Sequence, residues 1–200
     1  MYRKDNKEEF YTLRAKREGY PARSVYKLKE INEKFKIIKL GDRVLDLGAA
    51  PGSWLLYFSE QVGPKGLVIG VDYNDLKIPD KENIVFIKQD IFEIEANDFL
   101  KNQKFQIIAS DLAPKTTGIR FLDSGKSAEL TETAFYKTKG LLEEGGVFIC
   151  KIFEGSDTEE FVKKIKKYFD KTKRFVPMAV FKGSKEFYFV GLGFHSNRKE

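Results

Sequence analysis

From Arg43 to Ile152 the chain switches repeatedly between short apolar runs and stretches with helical spacing. Arg43 to Leu47, Gly66 to Asp72, Ile84 to Lys88, Phe105 to Ser110 and Val147 to Ile152 read as strands. Trp54 to Val62, Ile94 to Leu100, Lys126 to Leu142 and Thr158 to Phe169 read as helices, as do residues 5 to 18 and 24 to 34, the latter with Ser24 as candidate N-cap. Such alternation predicts an α/β fold: a mostly parallel, doubly wound sheet covered by helices on both faces. Arg174 to Phe181 and Phe187 to Phe194, joined by Lys182 to Lys185, add a closing antiparallel hairpin, giving seven strands in all. At 200 residues and 42% hydrophobic, one domain is expected, with residues 1–40 as a basic helical segment and 41–200 as the sheet core.

Cys150 is the only cysteine and His195 the only histidine, which excludes disulfide frameworks, zinc clusters and histidine triads. No metal is expected, and chemistry falls to Lys, Asp, Glu or hydroxyl groups. No apolar run approaches a membrane span, and Met1 to Glu9 mixes Arg3, Lys4 and Lys7 with Asp5, Glu8 and Glu9, unlike a targeting peptide. A cytoplasmic protein with no membrane partner is expected, and a monomer.

The net charge of +6 is unevenly placed: residues 1–40 hold 12 Lys/Arg against 6 Asp/Glu, and the remainder is balanced. A localised basic segment suits a polyanion, because Lys and Arg contacts to phosphate supply most sequence-independent affinity for nucleic acid. Composition alone leaves a solvated helical face equally open. A second cluster, Lys163, Lys164, Lys166, Lys167, Lys171, Lys173 and Arg174, follows Asp157, Glu159 and Glu160, an order that complements a helix dipole and reads first as structural.

In doubly wound sheets ligands bind beyond the carboxyl ends of the strands, where strand order reverses. The first strand ends Asp46-Leu47-Gly48-Ala49-Ala50-Pro51-Gly52-Ser53-Trp54. Small residues at 48–50 and Gly52 allow close backbone approach, and Pro51 fixes the turn. Asp72, twenty positions after Gly52, ends the second strand where an acid can bind ribose hydroxyls. With neither GxGxxG nor GxxxxGK[ST], no dinucleotide or P-loop triphosphate is provided for. S-adenosylmethionine needs neither pattern, and its sulfonium tolerates nearby carboxylates. Asp90 stands where it can meet an adenine amino group or simply cap a helix.

The fourth strand ends at Ser110-Asp111-Leu112-Ala113-Pro114 and the fifth at Lys151, so both charges can face one cleft. A lysine closing an apolar run is costly unless paired or used chemically. Burial and a nearby cation favour the neutral form of a lysine, which can then accept a proton from a hydroxyl.

In order and spacing these segments resemble the FtsJ/RrmJ-type ribose 2′-O-methyltransferases from about Ala22 to Phe194. Arg23 to Leu28 is similar to the segment of the first tetrad lysine. Asp46 to Trp54 resembles the cofactor loop, with Ser53 where glycine is common. Ser110 to Pro114 is similar to the aspartate motif, with Leu112 where methionine is frequent. Lys151-Ile152-Phe153 resembles the second-lysine strand and Ser184 to Tyr188 the glutamate segment.

The resemblance implies a Rossmann-like methyltransferase fold and a catalytic tetrad of Lys27, Asp111, Lys151 and Glu186, with Lys151 as proton acceptor. It implies cofactor contacts at Gly48, Gly52, Trp54, Asp72, Asp90 and Asp111, with S-adenosylmethionine as cofactor. The implied partner is RNA, a uridine of large-subunit (23S-type) ribosomal RNA first, with transfer RNA and messenger caps as alternatives. The basic N-terminal residues, with Tyr11, Tyr20 and Tyr26 among them, are the expected RNA contact. A small-molecule methyltransferase and a non-catalytic RNA-binding module are the rival classes.

Overall fold

A computed structural model describes residues 5–94, 104–112, 120–155, 158–180 and 183–196. Five strands run parallel: β1 (Arg43–Leu47), β2 (Leu67–Asp72), β3 (Ile84–Lys88), β4 (Phe105–Ser110) and β5 (Leu142–Phe153). β6 (Phe169–Phe175) and β7 (Glu186–Phe194) complete a seven-stranded sheet in the order β3-β2-β1-β4-β5-β7-β6, with β7 antiparallel to both its neighbours. The chain moves outward from β1 to β3 and then returns to β4. The reversal therefore lies between the carboxyl ends of β1 and β4, where ligand sites of doubly wound sheets form.

Alternation along each strand divides the core. On one face α1 (Asp5–Arg17), α2 (Val25–Phe35) and α3 (Ser53–Val62) pack Ala15, Val25, Leu28, Ile31, Leu55 and Phe58 against Val44, Ile107, Ile149 and Val190. On the other, α4 (Arg120–Thr138) and α5 (Thr158–Lys166) cover Leu45, Ile108, Phe148, Cys150 and Phe189 with Phe135, Phe161 and Ile165. Cys150 is fully buried there, on the face opposite Ile149 and hence Lys151. Among the described residues no helix is long and apolar enough to cross a membrane.

Four elements differ from expectation by three residues or more at a boundary. α4 is expected at Lys126 to Leu142 but starts at Arg120 and gives way after Thr138 to a 3-10 turn, and β5 starts at Leu142 rather than Val147. Gly145 takes a positive φ of 79° inside β5, absorbing a register shift before Val147 pairs with Ile107. The outer hairpin strand is Phe169–Phe175, not Arg174 to Phe181, and α5 stops at Lys166. β6 lies at the sheet edge, so its Asp170, Lys171, Lys173 and Arg174 face water and mask its apolar signal. Pro177, lacking an N–H, lies just beyond its end. The helix expected over Ile94 to Leu100 lies, beyond Ile94, outside the described residues.

Candidate active site

Sheet register brings the four proposed catalytic side chains to one place. Ser110 of β4 pairs with Cys150 of β5, so Asp111 leaves the sheet beside Lys151. Across the antiparallel pair Lys151 faces Tyr188 and Phe153 faces Glu186, which puts Lys151, Tyr188 and Glu186 on the face covered by α2. Lys27 reaches them from the first turn of α2.

The site consists of two ion pairs around a tyrosine. Lys151 is only 7% exposed. Its ammonium lies 3.1 Å from Asp111 Oδ1 and donates to the Asp111 backbone carbonyl at 2.6 Å. Lys27 Nζ lies 2.5 Å from Glu186 Oε1, and Glu186 Oε2 accepts from the Ser184 hydroxyl at 3.2 Å. Tyr188 is fully buried; its hydroxyl donates to Asp111 Oδ1 at 2.7 Å, and Lys27 Nζ stands 5.9 Å from its ring centroid. Two ammonium and two carboxylate groups thus balance in a poorly solvated space, where each charge would be costly alone.

Their electrostatics follow from that balance. Burial alone would push the Asp111 carboxyl up, but Lys151, then Lys27, and the Tyr188 hydroxyl together hold it below the usual carboxylate range. Burial, followed by the charge on Asp111, pushes the Tyr188 phenol well up, so it serves as a donor. Tyr188 was not singled out from sequence. Its signal was its position two residues beyond Glu186 on a strand, which puts both on one face.

The cofactor loop adjoins this group. Gly48 and Gly52 adopt φ of 79° and 111°, and a Cβ would come within 2.7 Å of Leu112 at the first and of Ile78 at the second. Only glycine fits this path, which presses the loop against both side chains. Asp72 accepts from the Ala50 amide at 3.0 Å and from the Asn74 amide at 2.8 Å, remaining partly exposed. Asp90 caps its own turn through the Phe92 amide at 3.0 Å.

Beneath the loop, Asp46 is fully buried and neither carboxylate oxygen has a hydrogen-bond partner among the described residues. Burial, then the charges of Asp111 and Asp72, push its carboxyl well up. Orphaned acceptors of this kind, with Asp72 and Asp111 near them, suit a ligand bearing cationic and hydroxyl groups, and the loop fits S-adenosylmethionine. Sequence reading placed Asp46 in the loop motif without giving it a role of its own.

Trp54, expected as a cofactor contact, lies in the core at 3% exposure, with its indole N–H donated to the Ser24 carbonyl at 2.9 Å. Its ring packs against Tyr188 at 5.8 Å, so any contact with the cofactor falls to its backbone. Ser24 occupies the N-cap position of α2 but makes no side-chain cap bond. Ser53, buried at 1%, accepts from the Ala22 amide at 2.7 Å and donates to the Ala22 carbonyl at 3.0 Å. The segment leading to Lys27 is thereby fixed to the start of α3.

A model of the FtsJ-like methyltransferases matches residues 20–194. The chain belongs to that family. It is 47% identical over 185 residues to the Ribosomal RNA large subunit methyltransferase E of Desulfatibacillum aliphaticivorans, covering 92% of this chain and 89% of that protein. Identity is 45% to the protein of the same name from Oleidesulfovibrio alaskensis, covering 93% and 91%. Among solved structures, a putative ribosomal RNA methyltransferase from Plasmodium falciparum superposes with a TM-score of 0.77 at 28% identity, over 88% of this chain and 98% of that one. Aeropyrum pernix fibrillarin, solved with S-adenosyl-L-methionine, shares the fold at a TM-score of 0.56 and 18% identity, over 78% and 68% of the two chains. The chain is an S-adenosylmethionine-dependent RNA methyltransferase, and the expected Rossmann-like fold is the one observed.

Proposed function

We propose that the chain methylates a ribose 2′-hydroxyl of RNA, with a uridine of large-subunit (23S-type) ribosomal RNA as target. The observation that carries this reading is the neutral group of Lys27, Glu186, Asp111 and Lys151 beside the cofactor loop at the sheet's switch point. The names of relatives at 45% and 47% identity support ribosomal RNA. When bound, S-adenosylmethionine supplies an electrophilic methyl group on a sulfonium. Backbone at Gly48 and Gly52 and the side chains of Asp72, Asp90 and Asp111 would hold it.

Within this scheme Lys151 first gives up its ammonium proton to solvent and then, as an amine, takes the 2′-hydroxyl proton. Asp111 orients Lys151 and balances the ammonium formed, and Tyr188 fixes Asp111 through its 2.7 Å hydrogen bond. Lys27 and Glu186 bracket the hydroxyl from the α2 side. Alignment of these groups with the methyl donor contributes to the rate, and oriented reactions gain on the order of 7–11 kcal/mol in this way.

RNA contact falls to the N-terminal helices, though not as the sequence suggested. Tyr20 and Tyr26 are buried, and Tyr11 packs on Tyr26 at 5.2 Å, so these rings are structural. Arg14 is paired with Glu18, whereas Lys16 and Arg17 are exposed beside the exposed Phe10 and Leu13. Cation and exposed aromatic together suit an RNA strand with unstacked bases.

Lys151→Ala tests the assignment. Methyl transfer to a large-subunit ribosomal RNA transcript is expected to fall by more than about a thousandfold, while calorimetry shows cofactor affinity within about threefold of wild type. Loss of cofactor binding with turnover per bound cofactor unchanged would assign Lys151 to the cofactor site instead.

A further inference from the structure

Part of the second basic cluster, whose order along the sequence suits a helix dipole, lines a groove. It has a volume of about 610 Å³ and runs between α5 and the edge strand β6, with Lys163, Lys166, Lys173 and Arg174 along its walls and Phe187 and Phe189 in its floor. Arg174 stacks over Phe187 at 4.0 Å and pairs with Glu154 at 2.8 Å. Of the acids on the groove, Glu160 lies 3.2 Å from Lys164, and Glu159 stands at the helix start. Lys163, Lys166 and Lys173 are exposed and make no carboxylate pair among the described residues. Positive charge therefore predominates, and three of its carriers have no counterion among the described residues.

The groove lies on the sheet face opposite the reacting centre, and the edge strand β6 joins the two. Lys151 pairs with Tyr188, and Tyr188 with Phe175, so the end of β6 stands two strand spacings, about 10 Å, from Lys151. Lys173, two residues before Phe175, shares the sheet face of Lys151, while Arg174 points to the other face. The basic surface thus wraps the free edge of the sheet from the catalytic face toward α5. Edge-strand lysines also discourage strand pairing between molecules, which accounts for Lys171 and Lys173 but not for Lys163 and Lys166. A helix dipole acts within the last turn and is met by one or two cations there.

We propose that this groove is a second RNA-binding surface that takes the substrate's phosphodiester backbone as it leaves the site, with Lys163, Lys166 and Lys173 as phosphate contacts. The inference rests on the RNA reading above and extends it to a part of the molecule remote from the N-terminal helices. It assigns these lysines to affinity and not to the reaction, because none touches Lys151, Asp111, Lys27 or Glu186.

The test is retention of a large-subunit ribosomal RNA transcript over a range of salt by the triple variant Lys163→Gln, Lys166→Gln, Lys173→Gln. The slope of log affinity against log salt is expected to flatten by about 2 to 3, near 0.7–0.9 per lost phosphate contact, with several-fold weaker binding at physiological salt. Cofactor affinity by calorimetry stays at the wild-type value and certifies the fold. The double variant Lys163→Gln, Lys166→Gln leaves β6 intact and is expected to flatten the slope by about 1.5. Wild-type affinity and slope in a triple variant that binds cofactor normally would overturn the proposal, leaving the lysines as edge protection. A wild-type protein that neither binds nor methylates the transcript would overturn the RNA reading itself, and the groove with it.

Discussion

Lys151 joins the energetics of the fold to the chemistry of the site. A buried ammonium is tolerated here because Asp111 offers it both a carboxylate and a backbone carbonyl, and Asp111 is in turn held by Tyr188. Replacing Tyr188 by Phe removes one hydrogen bond to a charged group, a change of roughly 1.5–3 kcal/mol. With that bond made at full strength only in the transition state, kcat falls about 10- to 100-fold while cofactor affinity holds, measurable by steady-state kinetics and calorimetry. Asp46 carries a strain of opposite sign. Its folded-state carboxyl titrates above its unfolded value, so the native state holds a proton that the unfolded chain loses, and stability falls as pH rises from about 4 toward the folded pKa. Asp46→Asn lacks this penalty. Urea unfolding is expected to show the variant gaining on wild type between pH 4 and 8, with the difference constant below pH 4; a gap independent of pH would show that Asp46 is not raised.

At the level of elements, α3 joins the proposed cofactor loop to the segment that delivers Lys27. Ser53 at its first position bonds both polar groups of Ala22, and Trp54 bonds Ser24, so the turn into α2 that delivers Lys27 is fastened twice. Ser53→Ala leaves the Ala22 amide without its acceptor and is expected to destabilise the fold by about 1–3 kcal/mol in chemical denaturation. A change within about 0.3 kcal/mol would mean water replaces the hydroxyl. The sequence showed the acidic and basic members of the site because charge at strand ends is conspicuous, and it showed β1, β2 and β4 because strands buried on both faces leave near-continuous apolar runs. It hid β6, whose edge position puts lysines outward, and it hid Ser53 and Tyr188. Neither of those carries a charge, and each acquires its role only when α2, α3 and β7 come together.

Across the whole molecule, charge and topology divide the labour. The switch point between β1 and β4 sets the cofactor loop beside Asp111, and the antiparallel β7 adds Glu186 and Tyr188 to a face otherwise built from parallel strands. The excess positive charge of residues 1–40 is partly neutralised internally, with Arg14 and Lys29 sharing Glu18 and Arg23 meeting Glu8. What remains for RNA among the described residues includes Lys16 and Arg17 on one side and the groove at the sheet edge on the other. Both would flank the same reacting centre, which makes the position of the new methyl group the decisive observation. Large-subunit ribosomal RNA transcript methylated in vitro by this protein, then digested to nucleosides and read by mass spectrometry, is expected to carry the methyl group on a ribose 2′-oxygen of uridine, and none when the enzyme is Lys151→Ala. A methyl group on a base, or an undiminished ribose signal from Lys151→Ala, would contradict the account.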